Sequence, residues 1–188
     1  RIGIKMHGFI PENGADRHAK TDRVPYEFWA QGGYCTLTPG DVTDNSYVYN
    51  WICAGERDHG WKVDEVDYDG HNATDLAIRM NEDRNREDFC VEVAQTCAGQ
   101  NLAVKTFREL LLQDRVVIEE SPLALWCLQN AIEIQNNYGD LKLSKRHKDD
   151  TERIDPVAAM MNALARVLVK KNGPVDLAAA MDRPGFSL

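Results

Sequence analysis

VDYDGHNATDLAIRM, running from Val66 to Met80, is the stretch whose reading decides the fold class. Val63, Val66 and Tyr68 are the apolar positions of a short strand that stops at Asp69-Gly70, a common turn pair. Asn72, three residues ahead of Asp75, resembles a capping box with Asp in the usual Glu or Gln place. It opens a helix carrying Leu76, Ala77 and Met80. Strand, tight turn and helix follow in immediate succession, which leaves Asp69 at a strand's carboxyl end.

The same alternation extends in both directions. Toward the C-terminus, the spacing predicts a strand over Phe89 to Val93, a helix around Leu102 to Leu112, a strand over Val116 to Ile118 and a helix from Pro122 to Ile134. A polar stretch from Gln135 to Arg153 then precedes a last helix from about Ile154 to Lys171, with Val157, Met160, Met161, Leu164 and Leu168 inward. Toward the N-terminus, Ile2, Ile4 and Met6 alternate as a strand that continues to Phe9 and ends at Pro11, and a polar loop follows through Asp22. Pro25 suits the start of a short helix with Tyr26, Phe28 and Trp29, stopped by Gly32-Gly33 before a strand from Tyr34 to Thr38. Asp44 caps a helix whose Tyr47, Val48, Trp51 and Ile52 share a face, with Gly60 as its limit. Alternation of this kind predicts an α/β sheet packed by helices, with sites at strand carboxyl ends and helix termini.

Composition narrows the function. The 188 residues are enough for one core, and 43% hydrophobic with 28% charged residues describes an ordinary folded domain. The expected division is one domain over residues 1–172 and a tail over 173–188, with residue 1 read as a cut end because it is not Met. No apolar run approaches the roughly 20 residues of a membrane span. Cys35, Cys53, Cys90, Cys97 and Cys127 form an odd set without a CxxC pair, which argues against a disulfide framework or a zinc site. A formal charge of −8 means that any contact with nucleic acid needs a local basic patch. No phosphate loop of the GxxxxGK[ST] type and no GxSxG or HExxH signature is present.

Two acidic residues stand at element ends where chemistry concentrates: Asp69 after its strand and Asp155 at the start of the last helix, followed by Pro156. Each alone has an ordinary structural explanation, Asp before Gly as a turn and Asp before Pro as a helix cap. Together they offer hard oxygen ligands for Mg²⁺ or Mn²⁺. Lys142, Lys145, Arg146 and Lys148 form a basic segment just ahead of Asp155 that could grip a phosphate backbone, although most charged loops are simply solvated.

The segments DRVPYEFWAQGGYCTLTPGDVTD (Asp22 to Asp44), VDYDGHNAT (Val66 to Thr74) and ERIDPVAAMMNALAR (Glu152 to Arg166) together resemble the nuclease domain of the terminase large subunit of tailed phages. The resemblance implies an RNase H-like mixed sheet flanked by helices, in which three aspartates hold two Mg²⁺ or Mn²⁺ ions. Asp69 and Asp155 correspond to the second and third. The first is expected on a strand upstream of Arg1, with an ATPase domain further upstream. The implied activity is metal-dependent cutting of concatemeric double-stranded viral DNA during genome packaging in the host cytoplasm. The implied partners are that ATPase domain, the small terminase subunit and the portal, with no membrane. Gly70-His71 and Ile118-Glu119-Glu120 depart from the family pattern. Another RNase H-like nuclease or integrase, or a non-catalytic packaging or DNA-docking module, would share much of this pattern.

Overall fold

The computed structural model describes residues 1–71, 73–146 and 151–172, with residues 171 and 172 described by backbone alone. Among the described residues, eight strands and seven helices follow in order: β1 (Ile2–Ile4), β2 (Gly8–Pro11), α1 (Glu12–Asp22), α2 (Tyr26–Gln31), β3 (Cys35–Thr38), α3 (Asn45–His59), β4 (Val66–Tyr68), α4 (Thr74–Arg84), β5 (Cys90–Glu92), α5 (Cys97–Leu112), β6 (Val116–Ile118), α6 (Pro122–Asn130), β7 (Ala131–Gln135), β8 (Leu141–Lys145) and α7 (Asp155–Asn172). The strands form four ladders. β1 with β6, β2 with β3 and β4 with β5 are parallel, and β7 with β8 is antiparallel. This is the mixed α/β arrangement expected from the sequence, divided into short strand pairs. Among the described residues no helix is long and apolar enough to cross a membrane.

The helix ends follow local chemistry. The Asp44 carboxylate accepts the Ser46 N–H at 2.8 Å, and Gly60 ends α3 at φ 67°, a left-handed conformation that glycine adopts without strain. Thr96 and Ser121 cap α5 and α6 in the same way, with Pro122 in the first helical turn. Asn72 lies outside the described residues, and α4 starts after Ala73 without a side-chain cap.

Three segments differ from the sequence reading. The strand expected to run from Ile2 to Pro11 breaks at residues 5–7 into β1 and β2, which pair with different partners, β6 and β3, so the alternation of Ile2, Ile4 and Met6 does not carry through as one ladder. Residues 12–22, expected as a polar loop, form α1, which buries only Ala15 and Asp22 and therefore lacks the large apolar residues that mark an amphipathic helix. The polar stretch after Gln135 is half of a hairpin. α6 ends at Asn130, and Ala131 to Gln135 turn extended to pair with Leu141 to Lys145, so the predicted helix to Ile134 stops four residues early. The connecting turn is held by the Asn136 side-chain oxygen, which accepts the N–H groups of Tyr138 and Asp140 at 2.9 Å, and by Gly139 at φ 85°.

Two apolar clusters result. The larger gathers Met6, Tyr26, Trp29, Cys35, Ala103, Leu123, Cys127, Val157, Met161 and Leu164, with Val157 and Met161 fully buried. The smaller holds Leu76, Met80, Phe89 and Cys90 between α4 and β5. The buried thiols belong to this packing: burial pushes Cys35 up to about 11 and Cys127 up to about 12.

Trp61 lies directly on the α3 backbone at Gly55, where a Cβ would stand 1.9 Å from the indole. Replacing Gly55 with Ala should displace Trp61, whose ring also meets Trp51 at 5.0 Å, and cost about 1–3 kcal/mol. Urea melts and tryptophan emission check this; an unshifted midpoint would show that the corner repacks freely.

Candidate active site

Asp155 opens α7 at the surface. It is not the cap, since the N–H groups of Val157 and Ala158 bond instead to the Ile154 carbonyl at 2.9 and 2.8 Å. It lines a cleft of about 560 Å³ together with His7, His18, Asp22, Tyr26 and Arg153. Asp22 is the buried charge of this cleft. Its Oδ2 accepts the Tyr26 hydroxyl at 2.7 Å and Arg153 Nε at 3.2 Å. Removing one partner of a buried ion pair leaves an uncompensated charge, at about 3–5 kcal/mol. Burial and the bond to Asp22 hold the Tyr26 phenol well above its ordinary range. His7 Nε2 lies 2.8 Å from Thr36 Oγ1, its ring stacks on Trp51, and burial lowers its affinity for a proton.

Asp69 is exposed just beyond β4, and its Oδ1 accepts the His71 N–H at 3.3 Å across the turn. Glu92, which the sequence reading did not single out, ends the neighbouring parallel strand opposite Tyr68. Its carboxylate occupies the space beside Gly70, where a Cβ would stand 2.4 Å from Oε1. This pairing of two acid-bearing strands is made by the parallel register of β4 and β5, for which the local sequence carries no signal.

Asp69 is not among the residues lining the cleft at Asp155, and among the described residues no three His, Cys, Asp or Glu side chains converge as metal ligands. Their elements do point the same way. Lys170 pairs with Asp64 and Glu65, whereas Arg166, one helical turn earlier, pairs with Glu65 at 2.9 Å and stands 3.9 Å from Asp67. β4 therefore runs antiparallel to α7, and the strand's carboxyl end and the helix's amino end lie on the same side. Asp155 is about 16 Å along α7 from Arg166, and the two strand residues from Asp67 to Asp69 recover about 6–7 Å of that.

The basic segment is only partly described. Lys142 and Lys145 belong to β8, where alternation sends them to opposite faces, Lys145 sharing its face with the core residues Leu141 and Leu143. Arg146 donates from Nη2 to the Gln129 carbonyl at 2.8 Å. Lys148 lies outside the described residues.

The chain matches the family model for the terminase large subunit endonuclease domain over residues 1–171. It belongs to that family. The large terminase subunit of Enterobacteria phage HK97 is 30% identical over 160 residues, covering 81% of this chain and 29% of the relative. The crystal structure of the HK97 large terminase superimposes with a TM-score of 0.72 at 27% identity, covering 84% of this chain and 32% of that one. The chain thus spans under a third of the length of these relatives.

Asp67 on β4 and Glu65 just ahead of it carry a pH signature. Burial, and then the adjacent Glu65, push Asp67 up to about 7, while the Arg166 hydrogen bond draws Glu65 down to about 2. Asp67 Oδ1 has no hydrogen-bond partner among the described residues. Because the folded state holds the Asp67 proton more tightly than the unfolded chain, this group favours folding below about pH 4, and that contribution is lost as pH rises to about 7. Asp67→Asn, which mimics the protonated form, should therefore be more stable than the parent at pH 8 by roughly 1–3 kcal/mol and nearly equal to it at pH 4. Denaturant melts at both pH values measure this; equal differences would remove Asp67 as the titrating group.

Proposed function

We propose that this domain is the metal-dependent endonuclease of a DNA-packaging terminase, with Asp69 and Asp155 as carboxylate ligands for Mg²⁺ or Mn²⁺. The supporting observation is the antiparallel seating of β4 on α7, which turns the acid-bearing ends of both toward one side of the domain. The residues fit an oxygen-preferring cation: both carboxylates are exposed, and Asp155 is free of a capping role. The ions, when bound, supply water activation and neutralise charge on the phosphodiester. Asp69 and Asp155 act as ligands rather than as general bases. A third carboxylate from elsewhere in the longer protein completes the set. The substrate is concatemeric double-stranded viral DNA in the host cytoplasm. The ATPase domain, the small terminase subunit and the portal are the working partners, and no membrane is involved.

In the full-length protein, Asp69→Asn and Asp155→Asn should each abolish plasmid cleavage in Mg²⁺ or Mn²⁺ with melting curves unchanged, since the amide keeps the shape and loses the charge. Full activity in either folded variant would refute the ligand role.

The basic residues Lys142, Lys145, Arg146 and Lys148 are proposed to contact the DNA backbone. Replacing all four with Ala should weaken duplex binding and flatten its salt dependence, because fewer counterions are released. The division of Lys142 and Lys145 between two faces should keep the change in slope below that of four phosphate contacts. A salt titration with an unchanged slope would return the segment to a solvated edge.

A further inference from the structure

Asp22 and Arg153 are 131 residues apart in sequence, yet they form the polar floor of the cleft beside Asp155. The Asp22 side chain is completely buried, with one oxygen engaged and the other, Oδ1, without a hydrogen-bond partner among the described residues. A buried carboxylate used only to brace the fold is ordinarily satisfied at both oxygens and sealed from solvent. This one is shut off from bulk solvent yet leaves Oδ1 unpaired at the wall of the cleft. The Arg153 side chain remains 31% exposed, its Nε held by Asp22 and its Nη2 3.4 Å from His18 Nδ1, so one edge of the planar guanidinium is fixed. Asp155 follows two residues later on the same cleft wall. In a chain of net charge −8, bulk attraction does not bring a phosphate here, and a cation of fixed direction is the feature that can.

We propose that Arg153 contacts a backbone phosphate of the DNA strand lying at Asp155, and that Asp22, which does not touch substrate, is a positioning residue that sets the direction of the guanidinium. This deepens the nuclease reading and rests on its placement of DNA at Asp155. Arg suits the role because its planar fork fixes two N–H directions at once, which a lysine ammonium cannot do.

The test is duplex binding by the full-length protein in EDTA across a salt titration, paired with Mg²⁺-dependent cleavage kinetics and melting curves. Arg153→Ala should lower affinity and reduce the log–log salt slope by about one. Arg153→Lys and Asp22→Asn should keep the slope, because the positive charge remains, yet lower kcat about tenfold or more with KM little changed, because its direction is lost. Arg153→Ala strands a buried charge and can unfold the protein, so the pair Asp22→Asn with Arg153→Met, which leaves no bare ion inside, should show the same loss of slope in a folded domain. An unchanged slope in that folded double variant overturns the phosphate contact. Unchanged kcat in folded Asp22→Asn overturns the positioning role. Asp155→Asn separates the two readings: continued cleavage by it would refute the metal-ligand assignment, while the metal-free salt slopes of the Arg153 variants would still decide this proposal.

Discussion

The apolar stripe of α7 is the contact on which the rest of the structure depends. Val157, Met160, Met161 and Leu164 recur at helical spacing and are buried against α5 and α6, with Val157 and Met161 wholly inside the larger core. The same helix presents different chemistry along its length. Its first residues stand in a cleft with acids and histidines, its middle supplies the apolar stripe, and Arg166 and Lys170 near its end meet Glu65 and Asp64 just ahead of β4.

Polar contacts tie the smaller cluster under α4 to the larger one. Arg166 and Lys170 reach Glu65 and Asp64, and a chain of amides runs from Gln100 through Gln95 to the buried Asn162. Such contacts are directional where apolar packing is not, so they set how β4 lies on α7 more strictly than they add to stability. Asn162, which interrupts the apolar run in the sequence, is thereby accounted for as the acceptor that ends the chain. The two candidate ligands belong to different clusters: Asp69 follows β4, whose Val66 and Tyr68 pack on the smaller one, and Asp155 opens α7, whose Val157 lies inside the larger.

Much of the fold was legible because its signals are local. The caps at Asp44 and Gly60, the Pro-started α6 and the stripe of α7 each declare themselves within a few residues. α1 escaped because alanine and polar residues give it no large apolar face. The β7–β8 hairpin escaped because a polar outer strand reads as a loop, although Asn136 and Gly139 are turn residues. The family resemblance singled out Asp69 and Asp155, which stand at element ends as expected. Their neighbours were not legible. With 22 basic and 30 acidic residues in the chain, nothing local says that Arg153 meets Asp22 or that Arg166 meets Glu65, because those pairings are made by topology.

An uninterrupted α7 also imposes a phase. Successive residues of an α-helix are turned by about 100°, so a single residue inserted between Asp155 and Arg166 would swing the cleft-facing end around the axis while the β4-facing end stayed in place. Two grips on one helix thus act as a gauge of length. Outward-facing residues of α7 can change in identity without disturbing either grip, but the number of residues between them is fixed by helical geometry.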